Sequence, residues 1–172
     1  GPANQQWRIE KRALSNGALI WTKTSNPSTL DDAIYDVAVD STGVYAVGYD
    51  TSPGNAQWRI QKYSTGGTLL WTQTSNPSIG QDTANGVAVD TSGVYIAGWQ
   101  SIGGTPDNMW RIEKYSLSGS LLWTQTNSLS TDDTAADIAV DTSGVYVVGV
   151  DSSPGNQQWR IEKRDLSTGV II

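Results

Sequence analysis

The sequence predicts an all-β chain, an array of four-stranded antiparallel sheets running to about three and a half repeats of about 50 residues. Three observations predict it. Trp7, Trp58, Trp110 and Trp159 recur at spacings of 51, 52 and 49 residues. Asp40, Asp90 and Asp141 recur at spacings of 50 and 51. No segment carries an apolar stripe of helical period, whereas short β-branched and alternating runs recur between Gly- and Asn-rich turns. A period near 50 is too long for one rung of a β-helix and fits a unit of four short strands.

Each unit reads in the same order. Val37-Ala38-Val39-Asp40, Val87-Ala88-Val89-Asp90 and Ile138-Ala139-Val140-Asp141 have no polar alternate, as expected of a strand buried on both faces. The Asp then begins a tight hairpin turn that ends at Gly43, Gly93 or Gly144. Asp hydrogen-bonds its own backbone two residues on, and Gly is expected to supply a positive φ. The second strand starts at Val44, Val94 or Val145 and passes Gly48, Gly98 or Gly149, where crowding should leave no room for a side chain. A Pro/Gly/Asn-rich loop follows (52–56, 101–108, 152–157). The third strand sends Trp and Ile one way, Arg and Glu or Gln the other. A Gly-containing turn leads to a fourth strand such as Leu121-Leu122-Trp123-Thr124-Gln125-Thr126, and the longest loop closes the unit (25–36, 75–86, 127–137). The chain thereby divides into 1–35, the outer hairpin of an incomplete unit; 36–84; 85–135; and 136–172, whose last strand is short.

A small twisted sheet cannot keep its large side chains dry alone, so the next sheet must cover them. Stacking of like sheets on like Trp, Leu and Ile faces is the logic of a β-propeller blade. The residues expected to carry that packing are Trp7, Trp21, Trp58, Trp71, Trp110, Trp123 and Trp159. Each buried indole hides about 150–250 Å², about 4–6 kcal/mol before entropy is subtracted.

Naming the strands of a unit A to D from the centre outwards, the chain reads CD, ABCD, ABCD, ABCD. Residues 4–12 and 156–164 are the same string, Asn-Gln-Gln-Trp-Arg-Ile-Glu-Lys-Arg. Either the chain belongs to a longer array or another copy supplies the missing half. The second reading predicts a homo-oligomer with a swapped or shared blade, using Trp7, Ile9, Ile20, Trp21, Trp159 and Ile161. Gly1-Pro2 is open to two readings, a scar of protease cleavage or native sequence.

Composition narrows the function classes. A net charge of −6 with 11 Lys and Arg, none clustered, argues against nucleic acid. The apolar runs are only a few residues long, too short to insert in a bilayer. With no Cys and no His there is no disulfide, thiol nucleophile or imidazole base. Wealth in Ser, Thr, Gly and Asn, with little Lys, favours an extracellular or cell-surface setting.

Two rims follow from the hairpin order, and the long loops share one of them. That rim carries Asp31, Asp32, Asp82, Asp132 and Asp133, of which Asp32, Asp82 and Asp133 are the candidates for a cation with oxygen ligands. The plainer role is turn capping. Tyr49 and Trp99 hold the position of Val150 at the end of the second strand, placed to stack on a sugar ring or a protein partner, or simply to pack the rim. Arg8, Arg59, Arg111 and Arg160 alternate with Glu10, Gln61, Glu113 and Glu162, which suggests ion-pair ladders between units.

With these residues in view, the chain resembles the bacterial and archaeal β-propeller repeats of the SBBP type. Ala139, Val140, Asp141, Gly144, Tyr146 and Gly149 match the inner hairpin of that repeat, and Lys114, Gly119 and Trp123 match its outer one. The resemblance implies a propeller module of a secreted or surface protein and no set chemistry. The Gly-to-Trp spacing at Gly17–Trp21, Gly67–Trp71 and Gly119–Trp123 is also similar to the tryptophan-docking motif of quinoprotein dehydrogenases, and Asp165, Thr168 and Gly169 add to that likeness. That motif locks blades together; the residues of that family that touch the quinone have no counterpart here.

The expectation is a non-enzymatic structural and protein-interaction module, without cofactor, that self-associates to complete its blades. The alternative is a lectin-like glycan binder using the long-loop rim. An enzyme would need a cleft residue peculiar to one repeat, and carboxylate pairs such as Asp31/Asp32 sit side by side on a loop and do not flank a bond.

Overall fold

The computed structural model describes residues 4–103, 107–127, 132–153 and 155–172. It is all-β, with thirteen strands in four antiparallel sheets among those residues. The first sheet is the hairpin β1 (Trp7–Arg12) and β2 (Leu19–Ser25). The second is β3 (Ala33–Asp40), β4 (Gly43–Asp50), β5 (Gln57–Tyr63) and β6 (Leu69–Ser75). The third is β7 (Asp82–Asp90), β8 (Gly93–Ser101), β9 (Asn108–Tyr115) and β10 (Leu121–Asn127). The fourth is β11 (Thr134–Asp141), β12 (Gly144–Asp151) and β13 (Gln158–Arg164), with Ile171 bridging back to Arg164. Within each sheet the strands lie side by side in chain order.

The sheets begin two to three residues before the expected boundaries, because β3, β7 and β11 each continue backwards through a bulge at Ile34/Asp36, Ala84/Gly86 and Ala135/Asp137. Asp36 and Asp137 brace theirs by accepting from the next residue's N–H at 2.7 Å. The Asp turns behave as expected at the aspartate, since Asp40 Oδ1 accepts the N–H groups of Thr42 and Gly43 at 2.7 and 2.9 Å. The glycine is there for a different reason: Gly43 has no positive φ, and a Cβ on it would sit 2.4 Å from the Tyr63 carbonyl oxygen. Close approach of the neighbouring strand, rather than turn handedness, excludes a side chain.

The sheets stack face to face, and β7 lies between β3 and β11. Three apolar clusters fill the gaps. One joins the first and second sheets through Trp7, Ile9, Val44, Ala46 and Tyr63. A second, around Trp58, Ile60, Val87 and Ile96, joins the second and third. A third, around Trp110, Ile112, Ile138 and Val147, joins the third and fourth. The innermost strands are not uniformly buried. β7 is largely covered, whereas Val37 and Val39 on β3 are 49% and 63% exposed because the first sheet has no strands opposite them. The paired leucines opening β6 and β10 are also about half exposed, at the outer edge of the stack.

Candidate functional site

The stacked faces are built from one repeated set of contacts. Trp7, Trp58 and Trp110 are 1%, 0% and 2% exposed. Each donates its indole N–H to a carbonyl at the end of the second strand of the following sheet: Tyr49 at 3.0 Å, Trp99 at 3.0 Å and Val150 at 2.9 Å. The rings reach so far across that a Cβ on Gly98 or Gly149 would lie within 3 Å of the Trp58 or Trp110 ring. Trp21, Trp71 and Trp123, half buried, donate to Thr65, Leu117 and Leu166 in the outer turn of the following sheet at 3.2–3.3 Å. The Gly of that turn rests on the ring. Of the seven tryptophans expected in the packing, Trp159 alone stands out in the open, at 87% exposure.

The arginine row does not form ladders between sheets. Arg111 pairs with Glu113, and Arg160 with Glu162, on their own strands, while Arg59 pairs with Asp50 at 3.1 Å on the neighbouring strand. What these guanidinium groups meet across the gap is an indole of the preceding sheet. Arg59 lies 6.0 Å from Trp7, Arg111 5.9 Å from Trp58 and Arg160 5.6 Å from Trp110. A lysine adds a second tie: Lys62 and Lys114 stand over Tyr45 and Tyr95 and donate to the carbonyls of Leu117 and Leu166 in the following sheet. The sequence signal for both was the repetition of Arg and Lys at fixed places in the third strand.

Of the six residues expected at a self-association surface, Trp7, Ile9 and Trp21 are instead spent within the chain, because the β1–β2 hairpin folds onto its own second sheet. Ile20, Trp159 and Ile161 remain exposed, at 56%, 87% and 66%. Trp159 and Ile161 join Val148, Val150 and Ala136 in lining an open cavity of about 620 Å³ on the fourth sheet.

Three of the rim aspartates accept hydrogen bonds within their own units. Asp32 accepts from the Ser28 hydroxyl at 2.8 Å and the Thr51 N–H at 3.0 Å. Asp82 repeats this with Ser78 and Ser101, and Asp133 accepts the Ser152 N–H at 2.9 Å. Each pins the long loop to the second-strand end of its own unit, so the three stay in three different sheets. Among the described residues no group of three acidic, His or Cys side chains is gathered that would hold a metal. Burial pushes the Asp82 carboxyl above its ordinary value, against the hydrogen bonds from Ser78 and Ser101.

Tyr49 and Trp99 do come together. Both half buried, they line one cleft of about 710 Å³ on the loop rim, with Asn4, Asp31, Thr51, Gln81 and Thr83 supplying polar groups. Their backbones are held by the indole bonds of Trp7 and Trp58. Tyr49 is further braced by Tyr35, the ring centroids 5.9 Å apart, and burial raises its phenol pKa. Val150, the third member of this position, is not part of that cleft.

The chain matches no known family model and no curated protein. No helix among the described residues is long and apolar enough to cross a membrane.

Proposed function

We propose that the chain is a non-enzymatic structural and protein-interaction module, a β-propeller array of the SBBP kind whose blades are these stacked sheets, acting in an extracellular or cell-surface assembly. It works without cofactor or nucleic acid, and its first partner is a second copy of itself. One observation carries this reading: Trp159 is 87% exposed where its three equivalents are at most 2% exposed, each locked onto a following sheet. A face that repeats an internal interface and lacks its cover is built for the same kind of sheet. Light scattering on the size-exclusion peak at micromolar concentration tests it. A mass above the 18.5 kDa of one chain is expected, and a stable monomer would overturn the proposal.

A second reading is favoured by the rim cleft, where two aromatic faces and several amide, hydroxyl and carboxylate groups converge. That chemistry suits a neutral glycan, with a sugar ring stacked on Trp99 or Tyr49 and its hydroxyls bonded to the polar side chains. Binding on a glycan array that disappears with Trp99→Ala would support it; silence with oligomerisation retained favours the first reading alone.

A further inference from the structure

Resting on the self-association proposed above, we infer how two copies join: the β1–β2 hairpin of one copy takes the place of β13 in the other, pairing with β12. The two segments are interchangeable by sequence and by shape. Residues 4–12 and 156–164 are identical, and the turns that follow them, 13–17 and 165–169, have equal length. Both turns close in the same way: Gly17 donates to the Ala13 carbonyl at 2.8 Å, Gly169 to that of Asp165 at 2.9 Å, and each glycine has φ 71°. Both carry the same internal ion pairs, Arg12 with Glu10 and Arg164 with Glu162. The hairpin is therefore already shaped for the slot.

It also lacks what the slot provides. Leu14 is 107% exposed, yet its counterpart Leu166 packs against the cluster around Trp110. The Leu166 carbonyl accepts from both Trp123 and Lys114. Arg8 and Arg12 are more than half exposed, where Arg160 stacks on Trp110 and Arg164 is buried. The slot in turn lacks what the hairpin brings. β13 has only an isolated bridge where β5 and β9 each pair with a full fourth strand, and β2 would supply that strand. β1 has β2 as its one partner among the described residues, so its other edge is free to pair.

Exchange costs little, because β12 trades one strand for another drawn from an identical nine-residue segment. It adds β2 to the sheet, and the incoming hairpin arrives with its own second sheet already packed over Trp7 and Ile9. That sheet covers the face left bare around Val148. Two copies joined reciprocally hold six complete four-stranded sheets, within the usual four to eight blades of a propeller. Trp7 of the other copy, already covered by its own second sheet, then holds the place of Trp159 on that face, so the released tail with Trp159 itself takes no part in the contact.

The absence of cysteine makes the test clean. In the closed chain Tyr146 lies opposite Lys163, so exchange puts it opposite Lys11 of the other copy. The full chain carrying Tyr146→Cys and Lys11→Cys is oxidised, and its mass read under non-reducing denaturing conditions. A covalent species of twice 18.5 kDa is expected, while Tyr146→Cys with Lys163→Cys, the control for bridgeable geometry, closes within one chain when the protein is held dilute. A dimer by light scattering that gives no covalent species from the first pair, with the control pair closing, overturns exchange and leaves self-association standing. A monomer by light scattering overturns both. Trp159→Ala separates them again: exchange predicts an undiminished dimer, and docking onto the open face predicts its loss.

Discussion

Trp58→Ala tests the sheet stack at its middle interface. The indole is fully buried, donates to the Trp99 carbonyl at 3.0 Å and lies under the Arg111 guanidinium at 5.9 Å. Truncating a buried Trp costs about 3–5 kcal/mol through lost transfer energy and the cavity left behind. The orphaned carbonyl adds about 1 kcal/mol, so the expected loss is about 4–6 kcal/mol. That is a large share of the roughly 5–15 kcal/mol that holds a typical domain folded. Trp159→Ala is the matched control, since an exposed side chain away from any network changes stability by no more than about 0.5 kcal/mol. Urea unfolding followed by far-ultraviolet circular dichroism reads both. A loss under about 1 kcal/mol for Trp58→Ala, or equal losses for the two variants, would refute the claim that indoles between sheets hold the array together.

Three further outcomes follow from particular contacts. Arg59 Nε is buried without a partner, while Arg111 Nε in the next unit donates to Glu113 at 2.7 Å; Gln61→Glu should supply the missing acceptor and raise stability by about 1 kcal/mol in urea, and a loss would contradict it. Gly98→Ala would set its Cβ 2.1 Å from the Thr83 carbonyl oxygen, a backbone atom that cannot swing aside, so a loss of about 3 kcal/mol is expected by thermal melting and a neutral result would count against the packing described. Acid should weaken the fold. Hydrogen bonds from Arg8 and Arg12 lower Glu10, those from Ser143 lower Asp141, those from Ser153 lower Asp151, and those from Ser167 and Thr168 bring Asp165 down to about 2. Groups lowered by folding contribute stability above their ordinary values of 3.8 to 4.5 and lose it as pH falls towards 2, while Asp82, raised by burial, works in the opposite sense. The urea midpoint should therefore drop between pH 5 and pH 2, and a flat profile would contradict the assignment.

The strand order and the turns were legible because each depends on residues close together in the chain: Asp40 with Thr42 and Gly43, or the alternation of Trp58 and Ile60 with Arg59 and Gln61. That Gly98 must lack a side chain was legible too, as a glycine repeated inside a strand, although the Thr83 carbonyl that enforces it was not. What sequence left unread depends on how separate strands, loops and sheets fold against one another. Arg59 was expected in an ion-pair ladder between sheets but sits near Trp7, because only the stacked geometry reveals that its face receives the preceding sheet's indole. Asp32 and Asp82 could be read from sequence either as cation ligands or as turn caps, and the fold shows them accepting hydrogen bonds from Ser28, Thr51, Ser78 and Ser101. Val39 read as doubly buried because its residue pattern equals that of Val89; its exposure comes from the neighbouring sheet, which no local pattern records. Tyr49 and Trp99 were singled out by a shared position, and the fold adds that they face the same cleft.

The most direct measurement of the sheet stack is the rate at which N-bromosuccinimide oxidises each tryptophan, read peptide by peptide by mass spectrometry. Trp58 and Trp110 should react far more slowly in the folded protein than in urea, with Trp159 reacting first. Oxidation of Trp58 or Trp110 at the rate of the unfolded chain would contradict the account.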